Sequence, residues 1–163
     1  ATVVLKLFNM ATPNRAYFGQ KDFQQTLVVR QMVTDLDLPI EIRVCPTVRE
    51  PDGLAMSSRN AYLTADQRRQ ALALYRSLRR ADELVKSGER QAVAIEAAMR
   101  ACYADLPDVA VEYVALVDRR TLQPLPTIDQ PAVALVAARV GNTRLIDNAL
   151  LEDGPPGPSS RSL

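Results

Sequence analysis

Arg15-Ala16-Tyr17-Phe18-Gly19 and Ile40-Glu41-Ile42-Arg43-Val44-Cys45 are two short apolar runs with a helical pattern between them. The first is expected to be a short buried strand ending at Gly19, the second a strand closed by Pro46. Between them Asp22 suits a helix N-cap, with Gln25 at the third helical position in a capping-box arrangement. Leu27, Val28, Met32, Val33 and Leu36 give that helix one apolar face, and Leu38-Pro39 ends it. Strand, helix and strand within about 30 residues make a βαβ unit, so the two strands should be parallel with a right-handed crossover.

Outward from that unit the pattern changes on both sides. Upstream, Thr2-Val3-Val4-Leu5-Lys6-Leu7-Phe8 reads as the middle of a helix that Pro13-Asn14 closes, with no cap before it and no initiating methionine. A processed terminus and a start inside a larger protein both give that pattern. Downstream, residues 46–63 are polar, hold Gly53 and show no clear period, and a gap of that length inside a domain is usually functional. Thr64-x-x-Gln67 is then a capping box, followed by a helical stripe of Ala71, Leu74, Tyr75, Leu78 and Val85 that Gly88 ends. A second helix carries Ile95, Met99 and Cys102 on one face. Val109, Val111, Tyr113, Ala115 and Val117 alternate as a strand, and Gly141-Asn142 joins two more as a hairpin. The expectation is an α+β domain distinct from the βαβ half, with the boundary near Pro46-Thr47. The Gly-, Pro- and Ser-rich end from residue 153 reads as a disordered tail or linker. No internal repeat is present.

Composition narrows the function. Twenty Lys and Arg against 19 Asp and Glu leave a net charge of +1, too little for a polyanion-steering surface, so nucleic acid is not an expected partner. No apolar run approaches the roughly 20 residues that span a bilayer. The histidine count is zero, which removes a Ser-His triad, a His base and His-ligated zinc from this chain. Cys45 and Cys102 have neither metal spacing nor a disulfide framework, and each reads as a small core residue in a reduced cytosolic protein.

Two clusters suit a phosphorylated ligand. Gly19-Gln20-Lys21-Asp22 lies where a parallel strand hands over to a helix, the place where open α/β sheets bind ligands. Gly19 admits a ligand to the backbone, the helix N-terminus offers amides and partial positive charge, and Lys21 adds a full cation. Asp22 can accept from sugar hydroxyls, and Gln25 faces the same crevice one turn on. The second cluster is Asp52-Gly53-Leu54-Ala55-Met56-Ser57-Ser58-Arg59-Asn60. Its adjacent hydroxyls and its guanidinium fork suit a triphosphate. A turn glycine, a helix cap and a solvated polar loop would be written with the same letters, and what favours a site is that both clusters bracket one βαβ unit. Arg68-Arg69 and Arg79-Arg80 read as solvated helix faces. Asp147 and Asn148 read as cap or turn residues at a strand end.

Together these segments resemble the pantoate–β-alanine ligase family. Arg15-Ala16-Tyr17-Phe18-Gly19-Gln20-Lys21-Asp22-Phe23-Gln24-Gln25 and Pro46-Thr47-Val48-Arg49-Glu50-Pro51-Asp52-Gly53-Leu54-Ala55-Met56-Ser57-Ser58-Arg59-Asn60 carry the likeness, and Arg144-Leu145-Ile146-Asp147-Asn148 is similar to the family's C-terminal strands. The resemblance implies that ATP and pantoate form pantoyl adenylate with release of pyrophosphate, and that β-alanine then displaces AMP to give pantothenate. It implies a Rossmann-like parallel-sheet domain of the class I nucleotidyltransferase type over residues 1–46. An α+β domain with a mobile triphosphate loop would follow over residues 47–152. It places ATP at Gly19, Gln20, Lys21 and Asp22, adenine at the Val48 backbone, and the triphosphate at Met56, Ser57, Ser58 and Arg59. Lys21, Ser57, Ser58 and Arg59 would be catalytic, and Gln25 would bind pantoate.

The family usually has glutamate where Gln20 stands, a position expected to be read through its backbone. The family's paired-histidine motif, much of its pantoate pocket and its magnesium ligands have no counterpart here. The chain is therefore expected to be the C-terminal part of such an enzyme, inactive alone, with Mg2+ held elsewhere. A cytoplasmic homodimer is the expected assembly of the complete protein. Another adenylyltransferase of the superfamily, or a nucleotide-binding or interaction module without chemistry of its own, are the alternatives.

Overall fold

The computed structural model describes residues 1–151, and the tail expected from residue 153 lies outside the described residues. The chain divides into two compact units, Ala1–Val48 and the part from Arg49 onward.

In the first unit α1 (Thr2–Ala11) leads to β1 (Arg15–Gly19), a 3-10 turn (Gln20–Asp22), α2 (Phe23–Asp35) and β2 (Glu41–Cys45). The strands pair in parallel from Arg15 opposite Glu41 to Gly19 opposite Cys45, as the βαβ reading expects. Phe8, Val29 and Met32 form a small core, with Ala16, Phe18 and Ile42 packed on it. Phe8 and Phe18 meet edge to face with centroids 6.4 Å apart. The strand is less buried than expected: only Ala16 and Phe18 turn inward, and Tyr17 is 67% exposed.

The inner face of α2 also differs from the expected one. Phe23, Thr26, Val29 and Met32 are buried, whereas Val28 and Leu36 are exposed. Apolar residues occur on more than one side of this helix, so their period alone does not choose a face. Thr26 is tolerated inside because its hydroxyl donates to the Phe23 carbonyl at 2.7 Å.

The second unit sets α3 (Ala65–Lys86) and α4 (Ala92–Ala101) against one antiparallel sheet, in the order β3 (Val109–Asp118), β4 (Ala132–Val140), β5 (Thr143–Leu151). The Thr64 capping box is formed: Thr64 Oγ1 accepts from the Gln67 amide at 3.2 Å and Gln67 Oε1 from the Thr64 amide at 3.1 Å. Leu74, Leu78, Ile95 and Met99 pack on Leu116, Val136 and Val140 in the main core. Ser77 and Tyr103 share a buried 2.7 Å hydrogen bond there, and burial pushes the Tyr103 hydroxyl up to about 12. Val140 pairs with Thr143 across the Gly141-Asn142 turn, and Gly141 takes φ +55°, a conformation that favours glycine.

The alternation expected along β3 breaks at Glu112. Val111 pairs with Ala138 and Tyr113 with Ala137, so Glu112 is an extra residue bulged out of the ladder. The inward set is consequently Val109 and Val111 before it, then Val114 and Leu116 after it, rather than every odd residue.

Candidate functional site

In the first unit the site is built at the carboxyl ends of the two parallel strands. Gly19 closes β1 beside Cys45, which closes β2, so the 3-10 turn of Gln20, Lys21 and Asp22 and the segment leading to Val48 leave the sheet at the same end. Such an end is where an α/β sheet presents its loops to a ligand. A Cβ built on Gly19 would meet nothing within 4 Å, so this backbone is open on the side that a side chain would cover. Val48 is 65% exposed. Gln20 and Lys21 are half-buried, while Asp22 and Gln25 are exposed.

The capping box expected at Asp22 and Gln25 is not formed. Asp22 has φ −93° and ψ 56° and its side chain makes no cap hydrogen bond. Thr64, with φ −66° and ψ 167°, has the extended backbone that aims a capping oxygen back at the helix. The 3-10 turn before α2 winds the chain tightly already at Gln20 and denies Asp22 that conformation. Neither the Asp22 carboxylate nor the Gln25 amide is consumed by capping, and both stand at the helix N-terminus.

In the second unit Met56, Ser57, Ser58 and Arg59 form the exposed turn ahead of α3. Ser57 is extended at φ −155° and its hydroxyl accepts from the Arg59 amide at 3.2 Å, starting the 3-10 turn Ser58–Tyr62. A cleft of about 440 Å³ is lined by Arg59, Tyr62, Asn142, Thr143 and Arg144, of which Arg144 is paired with Glu112 at 2.7 Å.

Behind this turn several residues do something other than what their local sequence suggests. Asp147 is not a strand-end cap: it lies inside β5 with its side chain 2% exposed, and it receives a fork from Arg49 at 2.6 and 3.1 Å. Arg49 also donates to the Gly53 carbonyl at 3.1 Å and lies 4.8 Å from the centre of the Tyr75 ring. Asn148 is likewise buried. Arg68 is not simply solvated but bridges Glu50 at 2.8 Å and Asp52 at 2.7 Å. Arg69, as expected, stays on the outer face.

One further assignment changes: Cys45 is exposed rather than a core residue, whereas Cys102, half-buried at the end of α4, packs against the main core and burial raises its thiol pKa. Among the described residues no three His, Cys, Asp or Glu side chains converge to hold a metal ion. The magnesium implied by the resemblance has no built ligand set among these residues. Among the same residues, no helix is long and apolar enough to cross a membrane.

Residues 1–150 match the family described as Pantoate-beta-alanine ligase. The pantothenate synthetase of Roseiflexus castenholzii is 55% identical over 152 residues, which is 93% of this chain and 55% of that protein. The crystal structure of pantothenate synthetase from Thermus thermophilus is similar with a TM-score of 0.88 at 44% identity, covering 92% of this chain and 54% of that one. The pantoate-beta-alanine ligase of Francisella tularensis, solved in complex with beta-gamma ATP and beta-alanine, gives a TM-score of 0.66 at 33% identity, covering 94% of this chain and 50% of that one. The chain spans about half the length of the curated relatives it matches. With nearly its whole described length matched, the chain belongs to the pantoate–β-alanine ligase family.

Proposed function

We propose that this chain supplies part of the active site of an ATP-dependent ligase that joins pantoate to β-alanine through a pantoyl-adenylate intermediate. One observation carries the reading: Gly19, Gln20, Lys21 and Asp22 form the turn between a parallel strand and a helix, at the sheet end beside the close of β2. Family membership and the relative solved with an ATP-type ligand and β-alanine support it.

In this reading residues 1–46 belong to a Rossmann-like nucleotide-binding domain, and residues 47–152 to an α+β domain that carries the triphosphate segment. The open backbone at Gly19 admits the nucleotide beside Gln20, Lys21 meets its phosphates, and Asp22 accepts from the ribose. The Val48 backbone meets adenine. Met56, Ser57, Ser58 and Arg59 meet the triphosphate, and Gln25 binds pantoate.

The chemistry asks for such groups. When the pantoate carboxylate attacks the α-phosphorus, the bond to the pyrophosphate oxygen breaks and negative charge moves onto the leaving group. Cations and hydroxyl donors already in place lower that barrier, because they need no reorganisation when the charge arrives. The β-alanine amine then attacks the acyl carbon and AMP leaves with the bonding electron pair. That step needs positioning and the exclusion of water from a reactive mixed anhydride. The complete enzyme is proposed to work as a cytoplasmic homodimer.

Separate substrate roles give a kinetic test. In a complete enzyme containing this chain, Gln25→Ala should raise the pantoate KM by about ten-fold or more with the ATP KM little changed. Arg59→Ala should instead act on ATP binding and adenylation. Equal effects of both variants on both substrates would mean that the two roles are not separate.

A further inference from the structure

We infer that Arg49, Glu50 and Asn60, held by Asp147 and Arg68, are positioning residues that fix both ends of the exposed turn Met56-Ser57-Ser58-Arg59. The inference rests on the proposal that this turn meets the triphosphate, and it lies entirely within the second unit.

On the near side the chain is tied down up to Ala55. Arg49 and Ala55 form an isolated antiparallel bridge, the Glu50 amide donates to the Leu54 carbonyl at 2.8 Å, and the Gly53 amide donates to the Glu50 carbonyl at 2.8 Å. Asp52 Oδ1 accepts from the Leu54 amide at 3.2 Å, and the Leu54 side chain is buried in the main core. Gly53 itself takes φ +94° against the Tyr75 ring, which occupies the space a Cβ would need. The Arg49 guanidinium gathers these parts. It touches the turn at Gly53, α3 at Tyr75 and β5 at Asp147, so one side chain refers the segment to two core elements.

The far side is closed by Asn60. Its Nδ2 donates to the Ala55 carbonyl at 3.1 Å and to Glu50 Oε1 at 2.8 Å, and Glu50 is held in turn by Arg68. Asn60 thereby returns the chain to the residue where the first anchor ends. The span between the anchors is Met56, Ser57, Ser58 and Arg59, the residues with the chemistry suited to a triphosphate. A short span with fixed ends samples few conformations, so less ordering is left to do when charge must be met. The same polar groups would serve stability equally well anywhere in the molecule; their convergence on the two ends of one exposed turn is what assigns them a positioning role.

Amide hydrogen exchange on the full 163-residue chain tests this without needing turnover. Two variants are compared with the parent. In Arg49→Met/Asp147→Leu both partners of the buried pair become apolar, which commonly leaves stability near its starting value. In Asn60→Ala the pair is kept and only the far anchor is lost. Both should speed exchange in peptides covering residues 50–60 by about ten-fold or more, with residues 71–81 of α3 changing less than about two-fold. Residues 50–60 exchanging as in the parent, or rising by the same factor as α3, would overturn the inference, because the groups would then serve stability alone. Absence of ATP protection at residues 57–59 in a complete parent enzyme would instead overturn the triphosphate reading. The ligand-free rates decide the positioning claim by themselves.

Discussion

Lys21→Ala is expected to lower pantoate-dependent ATP–pyrophosphate exchange by roughly 100- to 1,000-fold in a complete enzyme containing this chain, with the fold unchanged. Lys21 stands in the 3-10 turn between β1 and α2, and the core of its unit is made by Phe8, Val29 and Met32 without it. Its removal therefore creates no cavity in that core. In the proposed reading, what it removes is a cation at the place where charge builds on the departing pyrophosphate. A preorganised contact that strengthens only in the transition state is worth about 3–4 kcal/mol, which converts to the fold-change above. Because that contact is made chiefly in the transition state, kcat should fall more than the ATP KM rises. The check is exchange of labelled pyrophosphate at saturating ATP, with circular dichroism as the control on folding. A variant within a few-fold of its parent would remove Lys21 from the reaction.

Asp147→Ala is expected to have the largest effect on stability, a loss of about 3 kcal/mol or more. The Asp147 carboxylate is almost wholly buried and takes both forks of Arg49, whose side chain is 24% exposed. Deleting the carboxylate leaves the guanidinium partly desolvated, with the Gly53 and Asn148 carbonyls and the Tyr75 ring as its remaining company among the described residues. The partial exposure of Arg49 keeps the loss toward the lower end of the range for broken buried pairs. For a chain of this length about 3 kcal/mol corresponds to a melting midpoint roughly 6–12 °C lower. Thermal unfolding followed by circular dichroism measures it. A shift of under 2 °C would show that water enters and solvates Arg49 at no net cost.

Local signals were legible in the sequence and long-range ones were not. The Thr64 capping box and the Gly141-Asn142 hairpin are each encoded within a few residues, and both are formed. The parallel pairing of β1 and β2 was legible from one strand, one helix and one strand in order. Asp22 and Gln25 carry capping side chains at the same spacing as Thr64 and Gln67 but do not form the box, because the preceding 3-10 turn removes the extended backbone that the cap requires. The break in β3 was hidden because Glu112 is an ordinary strand-face residue until its partners on β4 are known. Arg49 and Asp147 lie 98 residues apart, and nothing near either of them announces the other. Arg68 looked solvated because its partners, Glu50 and Asp52, lie in the stretch that had no period to read.

For the candidate site the same division holds. Lys21, Asp22 and Gln25 were legible because a strand-to-helix junction is a local event. Ser57, Ser58 and Arg59 stood out by side-chain type alone. Arg49, Glu50 and Asn60 behind them find their partners on α3 and β5, at Arg68, Tyr75 and Asp147, and those contacts could be found only in the folded chain.

We propose that this chain carries one part of a pantoate-adenylating site and that turnover needs the remaining portion of such an enzyme. The most direct measurement is AMP release with ATP, pantoate and β-alanine by the purified 163-residue chain, alone and then joined to the remaining portion of a relative's enzyme. Alone, the chain should release no AMP above background. Joined, it should release AMP only when pantoate is present. Robust pantothenate formation by a monodisperse preparation of the chain alone, free of host enzyme, would contradict the claim.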